Sequence, residues 1–162
     1  MAQAKIHRDG TVEVLTASQD IGGGARTVVA LTASRLLGWL ALDKIKVKIG
    51  DSEYGTSGAS AGSSTTGGVS REVQNAVQAV LLKLFEVVAP KIGAAGPRDC
   101  QVIEGPKVSS RGGKTIDWDE ACGMLKDSIM SYAPTIVEPG SQWALVRDDG
   151  RIEQATEEDY KA

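Results

Sequence analysis

The sequence predicts an α+β fold, a two-layer unit in which a mixed β-sheet is packed by two amphipathic helices, with a less regular C-terminal extension. Short segments of alternating apolar and polar residues predict strands, and two longer segments with apolar residues at helical spacing predict helices. Segments rich in glycine separate strands from helices. We place the two-layer unit in residues 1–92 and the extension in residues 93–162, packed on the same domain.

The composition of the 162-residue chain is that of one globular domain, with 41% hydrophobic and 24% charged residues. The chain has 18 basic and 21 acidic residues, and the basic residues are not clustered in the sequence. We therefore expect no nucleic-acid partner. No apolar run is long enough for a membrane span, and residues 1–9 do not resemble a signal peptide. We therefore expect no membrane association and a cytoplasmic location, with export alongside a partner subunit as the alternative.

The first elements of the chain are predicted to be a hairpin, a helix and a strand. Alternating residues on both sides of Asp9-Gly10 predict two antiparallel strands joined by a two-residue turn. Apolar residues then recur at helical spacing until Gly38, which suits a left-handed helix end. Residues 45–49 alternate isoleucine or valine with lysine, which predicts a strand with one buried face.

A loop and a long helix complete the predicted two-layer unit. Residues 50–68 are mainly glycine, serine and threonine, a composition that cannot pack a core and so indicates a loop. The apolar residues that follow predict one amphipathic helix that ends at Pro90. Its predicted core residues are Val69, Val73, Ala76, Val77, Val80, Leu81, Leu84, Phe85 and Val88.

The extension contains weaker signals. Short strands are predicted at residues 101–104 and 107–109, followed by a capped helix that begins at Asp117 and extends as far as Ile129. A terminal hairpin is predicted from residues 143–146 and 151–152 about Asp149-Gly150, and residues 157–161 read as a solvated end.

We assign no catalytic residue and no metal ligand to this chain. His7 is the one histidine in the sequence, and no nucleophile is placed beside it by the pattern. Cys100 and Cys122 are far apart and form no CxxC pair, so a zinc or iron–sulfur ligand set is missing, and both are interpreted as buried thiols.

Gly22, Gly23 and Gly24 connect the end of a predicted strand to the start of a helix. Glycines leave backbone N–H groups uncovered, and the amino end of a helix adds donors and partial positive charge, which together suit a phosphate. The alternative is a glycine-rich turn that holds no ligand. The segment is neither a P-loop nor a dinucleotide-binding GxGxxG, because the residues that accompany those motifs are missing.

Ser63, Thr65 and Thr66 form a second candidate segment at the start of the long helix. Their hydroxyls and the neighbouring N–H groups can donate to a phosphate or a ring carbonyl without adding charge. The alternative is a linker whose hydroxyl residues only cap the helix. Two such segments, each opening a helix, predict a site for an extended anion.

These segments resemble the molybdenum-cofactor-binding region of the large subunit of the xanthine dehydrogenase and aldehyde oxidase family, the molybdenum hydroxylases. The resemblance covers about the first 92 residues and implies that Gly22, Gly23, Gly24, Ser63, Thr65 and Thr66 contact a molybdopterin cytosine dinucleotide. Many members have Gln or Thr at the position of Gly23, so one side-chain contact is lost here. The residues that carry the resemblance are Asp9-Gly10-Thr11-Val12, Gln19-Asp20-Ile21-Gly22, Gly24, Arg26-Thr27, Leu37-Gly38, Val47-Lys48-Ile49-Gly50-Asp51 and Ser63-Ser64-Thr65-Thr66.

The resemblance also implies what this chain lacks. The family's large subunit is several times longer, and neither its substrate-pocket residues nor its base glutamate has a match in this sequence. The expected function is therefore part of the cofactor site of an aldehyde or N-heterocycle oxidoreductase, incomplete and inactive alone. The implied partners are the remainder of a large subunit and the iron–sulfur and flavin subunits.

Two further interpretations remain open at this point. A non-enzymatic phosphate- or nucleotide-binding module would keep the loops for a free ligand, and a scaffold fragment would leave them empty. If a larger protein normally covers part of this chain, apolar helix faces are exposed in isolation, and we expect self-association.

Overall fold

The computed structural model describes residues 1–58, 60, 62, 64–111 and 113–132, and the backbone of residues 144–146 and 152–154. The strands are β1 (Ala2–Ile6), β2 (Val12–Thr16), β3 (Ile45–Ile49), β4 (Cys100–Ile103), β5 (Lys107–Ser110), β6 (Thr115–Asp117), β7 (Ile129–Tyr132), β8 (Ala144–Val146) and β9 (Ile152–Gln154). The helices are α1 (Ala25–Leu36), α2 (Thr65–Ile92) and α3 (Trp118–Gly123). The predicted α+β class is confirmed.

The main sheet is mixed and has the strand order β3-β2-β1-β7. β1 pairs antiparallel with β2 and with β7, whereas β2 and β3 are parallel and are connected through α1. The β1–β2 hairpin is confirmed, but its turn differs from the expected one. His7 and Thr11 are joined by a 2.9 Å backbone hydrogen bond, and Gly10 has a φ of 80°, so the loop has three residues and ends in a left-handed glycine.

One face of the main sheet and both long helices enclose the core. Ala2, Ala4 and Ile6 of β1 point to this face and are fully buried, while the residues between them are only half-buried. α2 packs against α1, β1 and β7, and α1 packs against β3. All nine apolar residues predicted for the core of the long helix are buried. The periodicity of the sequence therefore gives the correct buried face.

Both ends of α2 differ from the prediction. The helix begins at Thr65, inside the segment expected to be a loop, and continues through Pro90 to Ile92. Pro90 removes only one helical hydrogen bond close to the end, which the last turn tolerates. The helix ends instead at Gly93, which has a φ of 73° and donates its N–H to the Ala89 carbonyl.

The extension contributes a second sheet of antiparallel strands in the order β4-β5-β6, and its last described strands, β8 and β9, pair antiparallel. The predicted turn about Asp149-Gly150 and the end at residues 157–161 lie outside the described residues.

The prediction that the capped helix extends to Ile129 is wrong. α3 ends at Gly123. Ile129 belongs to β7 and pairs with Ile6 on the side of β1 opposite to β2. The boundary at residues 92 and 93 stays a prediction.

Besides the pairing of β7 with β1, two close contacts help to join the extension to the first part of the chain. The buried Trp118 side chain donates its Nε1–H to the Gly10 carbonyl at 2.8 Å, across the β1–β2 turn. Gly38, just after α1, has a φ of 65° and lies directly against the Ile103 carbonyl at the end of β4. Position 38 therefore requires glycine for its backbone conformation and for this close approach.

We predict that Gly38→Ala lowers the free energy of unfolding by about 3 kcal/mol, because it adds left-handed strain to a clash with the Ile103 carbonyl. Urea unfolding followed by circular dichroism measures the loss. The matched control is Gly105→Ala, where φ is 84° but an added Cβ meets no atom within 4 Å. That variant should lose only about 1 kcal/mol. Equal losses in the two variants would contradict the close approach.

Candidate functional site

The segment that follows β2 folds around the side chain of Asp20. Asp20 Oδ1 accepts hydrogen bonds from the N–H groups of Gly22 and Gly24, both at 3.1 Å, and Oδ2 accepts one from Arg26 at 3.2 Å. Gly22 and Gly24 have φ values of 98° and 74°, a conformation that favours glycine. Gly24 is also the residue that caps α1. A carboxylate of the protein itself therefore occupies donors that the sequence suggested for a phosphate.

These hydrogen bonds stabilise the charged form of Asp20. The backbone N–H of Arg26 lowers the pKa of the Asp20 carboxyl most, and the N–H groups of Gly22, Ala25 and Gly24 add to it against a smaller opposing effect of burial. This role of Asp20 was not predicted from the sequence. The available signal was the position of Asp20 two residues before a glycine, because aspartate commonly accepts a hydrogen bond from the backbone two residues on.

The second candidate segment lies at the amino end of α2. Thr65 and Thr66 are the first two residues of the helix, and Ser63 lies outside the described residues. No acidic residue lies in the first turn of α2. The two helix starts therefore differ in charge, since the amino end of α1 is covered by the Asp20 carboxylate and that of α2 carries hydroxyl side chains.

The two segments face each other across one cleft of about 380 Å³, which we call the loop cleft. The Ser60 hydroxyl donates to the Gln19 carbonyl at 3.3 Å and joins the two sides. The residues that line the loop cleft are Gln19, Asp20, Ile21, Gly23, Ala25, Ser60, Gly62, Thr65 and Thr66. The two predicted segments, separated by some 40 positions in sequence, thus form one concave surface.

The six predicted site residues have different positions in this arrangement. Gly23, Thr65 and Thr66 line the loop cleft. Gly22 and Gly24 hold the Asp20 carboxylate through their N–H groups. An added Cβ at Gly23 would meet no atom within 4 Å, so the cleft has room for a side chain at this position. Contact of any of these residues with a cofactor stays a prediction.

A separate polar cluster lies near the β1–β2 turn. His7 Nδ1 is 2.9 Å from the Ser128 hydroxyl, and His7 Nε2 is 3.9 Å from Glu13 Oε2. The order of these groups is that of a nucleophile, a base and an acid. However, Glu13 is beyond hydrogen-bond distance of the histidine and forms a 2.6 Å ion pair with Lys48, whose hydrogen bond lowers the pKa of Glu13. We assign no nucleophile here.

The two cysteines are buried free thiols. Burial raises the pKa of Cys122 to about 12, which disfavours the reactive thiolate.

Within the described part of the chain, no group of three or more His, Cys, Asp or Glu residues is arranged to hold a metal ion. The helices described in the structure include none that is both long and apolar enough to cross a membrane.

Residues 1–159 match the family described as molybdopterin cofactor-binding domain. The chain is 32% identical over 129 residues to the aldehyde oxidoreductase molybdenum-binding subunit PaoC of Escherichia coli strain K12, an alignment that covers 76% of this chain. It is similar in fold to quinoline 2-oxidoreductase from Pseudomonas putida 86, with a TM-score of 0.63 and 20% identity over 83% of the chain. It is also similar to CO dehydrogenase from Oligotropha carboxidovorans, with a TM-score of 0.62 and 19% identity over 83% of the chain.

The matched proteins are much longer than this chain. The alignment covers 16% of the Escherichia coli subunit, and the structural superpositions cover 19% of the quinoline enzyme chain and 18% of the CO dehydrogenase chain. The chain therefore spans less than a fifth of each of these relatives.

Asp20→Asn is predicted to lower the melting temperature at pH 7, and the deficit should shrink as the pH falls below about 4. The folded-state pKa of Asp20 is lowered, so its stabilisation is fully present above the unfolded-state pKa and is lost as the pH falls through the folded-state pKa. Differential scanning calorimetry from pH 7 down to about pH 2.5 measures this. Asp127→Asn, at an exposed position before β7, reports the effect of net charge alone. A deficit that is constant with pH would contradict the assigned role of the carboxylate.

Proposed function

Since the chain belongs to the family of molybdopterin cofactor-binding domains, we propose that it forms part of the cofactor site of a molybdenum hydroxylase and binds a molybdopterin cytosine dinucleotide in the loop cleft. The observation that carries the proposal is the meeting of the glycine segment with Thr65 and Thr66 in one cleft. All of these residues lie inside the part of the chain that matches the family.

The loop cleft fits part of such a cofactor. Its volume of about 380 Å³ is near the lower end of the roughly 300–1,000 Å³ of small-molecule sites. Thr65 and Thr66 offer hydroxyl donors at the amino end of a long helix, which suits a phosphate group. When bound, the cofactor supplies the redox chemistry. The role of this chain's residues is to bind and orient one end of it.

The six predicted contacts take different parts in this proposal. Thr65 and Thr66 donate to the cofactor from one side of the cleft, and Gly23 lets it approach the backbone on the other. Gly22 and Gly24 act through the loop shape that they give with Asp20. Ser63 is retained as a contact because it lies two residues before the start of α2 in the sequence.

The activity of the complete protein is proposed from its relatives. The Escherichia coli relative is named as a subunit of an aldehyde oxidoreductase, and this chain spans 16% of its length. We propose that the chain acts in an oxidoreductase for aldehydes or N-heterocycles, together with the remainder of a large subunit and with iron–sulfur and flavin subunits. Alone, it should contain no molybdenum and catalyse no hydroxylation. The free thiols of Cys100 and Cys122 are consistent with a reducing, cytoplasmic location.

The alternative interpretation, a non-enzymatic phosphate- or nucleotide-binding module, has no support among the matches described above. It makes a different prediction about affinity. A module that works alone requires tight binding of a free nucleotide, whereas a partial cofactor site should bind one weakly. Isothermal titration calorimetry of the purified chain with cytidine diphosphate measures this affinity and therefore distinguishes the two functions.

We predict that cytidine diphosphate binds weakly and shifts the amide NMR signals of Gly23, Thr65 and Thr66. The double variant Thr65→Val, Thr66→Val should weaken this binding at least about tenfold, because hydrogen bonds to a charged group contribute roughly 1.5–3 kcal/mol each.

The matched control for this experiment is Thr27→Ala. Thr27 lies in the first turn of the other long helix and does not line the loop cleft. Its replacement should leave the affinity unchanged. Wild-type affinity in the double variant, or shifts confined to residues outside the cleft, would contradict the proposed site.

We also expect the isolated chain to self-associate through the apolar residues on and after α1. Leu31, Trp39 and Leu42 are 48%, 55% and 52% exposed. Trp39 also has a φ of 64°, which is unfavourable for a bulky residue and natural for asparagine. Trp39→Asn therefore removes apolar surface without adding backbone strain, and should shift the sedimentation profile towards the monomer.

Val87→Asn on α2 is the control for this variant, because it removes a less exposed apolar side chain, 39% exposed, from a different helix. It should retain the association of the wild type. A clean monomer for the wild-type chain at high concentration would contradict the expectation of self-association.

A further inference from the structure

We propose that Asp20 is a specificity-determining residue of the loop cleft. Its carboxylate occupies the amino end of α1 and makes the glycine side of the cleft an acidic wall, which accepts hydrogen-bond donors and excludes phosphate. This inference rests on the proposed function, because it concerns how the cofactor lies in the cleft.

The first support is the use of the backbone donors. Gly22 and Gly24 donate to Asp20 Oδ1, and Arg26 donates to Oδ2. A phosphate that entered this turn would have to displace a carboxylate held by three hydrogen bonds. The two carboxylate oxygens offer about four acceptor positions, so about one position, on Oδ2, remains open. Asp20 can therefore accept a hydroxyl or amine of a ligand while it continues to hold the turn.

The second support is the position of the charge. Asp20 is exposed and lines the loop cleft beside Gln19, Ile21 and Gly23. The N–H groups around it lower its pKa, so it is ionised at neutral pH. The negative charge is thus on the surface that a ligand meets. It is not hidden in the core.

The third support is that no cationic side chain among the described residues forms an ion pair with this carboxylate. Arg26 is the nearest basic residue in sequence, but its Nη1 donates to the Val47 carbonyl of β3 at 2.6 Å. The guanidinium is therefore engaged on the strand, and it does not line the cleft.

The opposite side of the cleft, at the start of α2, offers hydrogen-bond donors. Thr65 and Thr66 provide hydroxyl donors, and the first turn of α2 has no acidic residue. A ligand with a phosphate at one end and uncharged amine or hydroxyl groups at the other is therefore oriented. Its uncharged donors face Asp20, and its phosphates lie away from the glycine turn. The glycine turn shapes the site and does not hold the phosphate.

The test is an amide NMR titration of the wild type, Asp20→Asn and Asp9→Asn with inorganic pyrophosphate and with cytidine. Asparagine keeps the Oδ1 acceptor for Gly22 and Gly24, removes the charge, and replaces the Oδ2 acceptor of the Arg26 N–H by an amide NH2 group. Asp9→Asn is the matched control, since Asp9 also accepts a backbone hydrogen bond, from Thr11 at 2.9 Å, and lies at the other end of β2.

In the wild type and in Asp9→Asn, we expect pyrophosphate to leave the amide signals of Gly22, Gly24 and Arg26 unshifted. In Asp20→Asn the Arg26 signal should shift on addition of pyrophosphate, because a repelling unit charge is removed and the backbone N–H of Arg26 loses its acceptor. Cytidine binding should weaken about tenfold in Asp20→Asn, because the charged acceptor for its hydroxyl or amine groups is lost.

Pyrophosphate shifts at Gly22 and Gly24 in the wild type would overturn the inference, and this result needs no variant to fold. Unchanged responses to pyrophosphate in both Asp20→Asn and a second uncharged variant, Asp20→Ser, would also overturn it. The proposed function fails separately. If neither pyrophosphate nor cytidine diphosphate shifts Thr65 and Thr66 in the wild type, the cofactor site is wrong, while the response of Asp20→Asn still decides the role of Asp20.

Discussion

Burial of one face of α2 is the constraint on which the rest of this structure depends. The helix packs against α1, β1 and β7, and its buried residues run from Val69 to Ile92. Each fully buried valine, leucine or phenylalanine contributes roughly 1.5–3 kcal/mol. Because this face is buried along its length, its packing also fixes the position of the start of the helix. Thr65 and Thr66 are held beside the glycine turn by buried residues that begin about one turn later, at Val69.

The parts of the fold that could be predicted are those whose signal is local. The buried face of α2 and the alternation in β1, β2 and β3 follow from spacing within a few residues, and the structure confirms them. The strand at Ile129 could not be recognised in this way. Its apolar residues also fit the end of a helix, and its hydrogen-bond partner, the edge of β1, is more than one hundred residues earlier. The start of α2 was missed because Gly67 and Gly68 favour a loop by composition, whereas the packing of the following turns extends the helix.

The candidate site was predictable in its location and not in its internal chemistry. Two glycine- and hydroxyl-rich segments that open helices do meet in one cleft. The sequence could not show that one helix start already has an anion. Similar residue types thus have different roles at the two helix starts. Before α1, the N–H groups of the turn are hydrogen-bonded to the side chain of Asp20. At the start of α2, hydroxyl donors are present and the first turn has no acidic residue. Only the hydrogen-bond partners distinguish them.

The late position of β7 in the sequence affects the order in which parts of the chain can fold during synthesis. Both sides of the loop cleft come from residues synthesised before Ile92, so they can assemble while the extension is still being translated. β1 can pair with β2 as soon as both strands have been made, but its other edge is completed only after residues 129–132 have been made. An unpaired strand edge is a template for pairing with another chain. During that interval, a growing chain with a formed cleft and an open sheet is at its most vulnerable to aggregation.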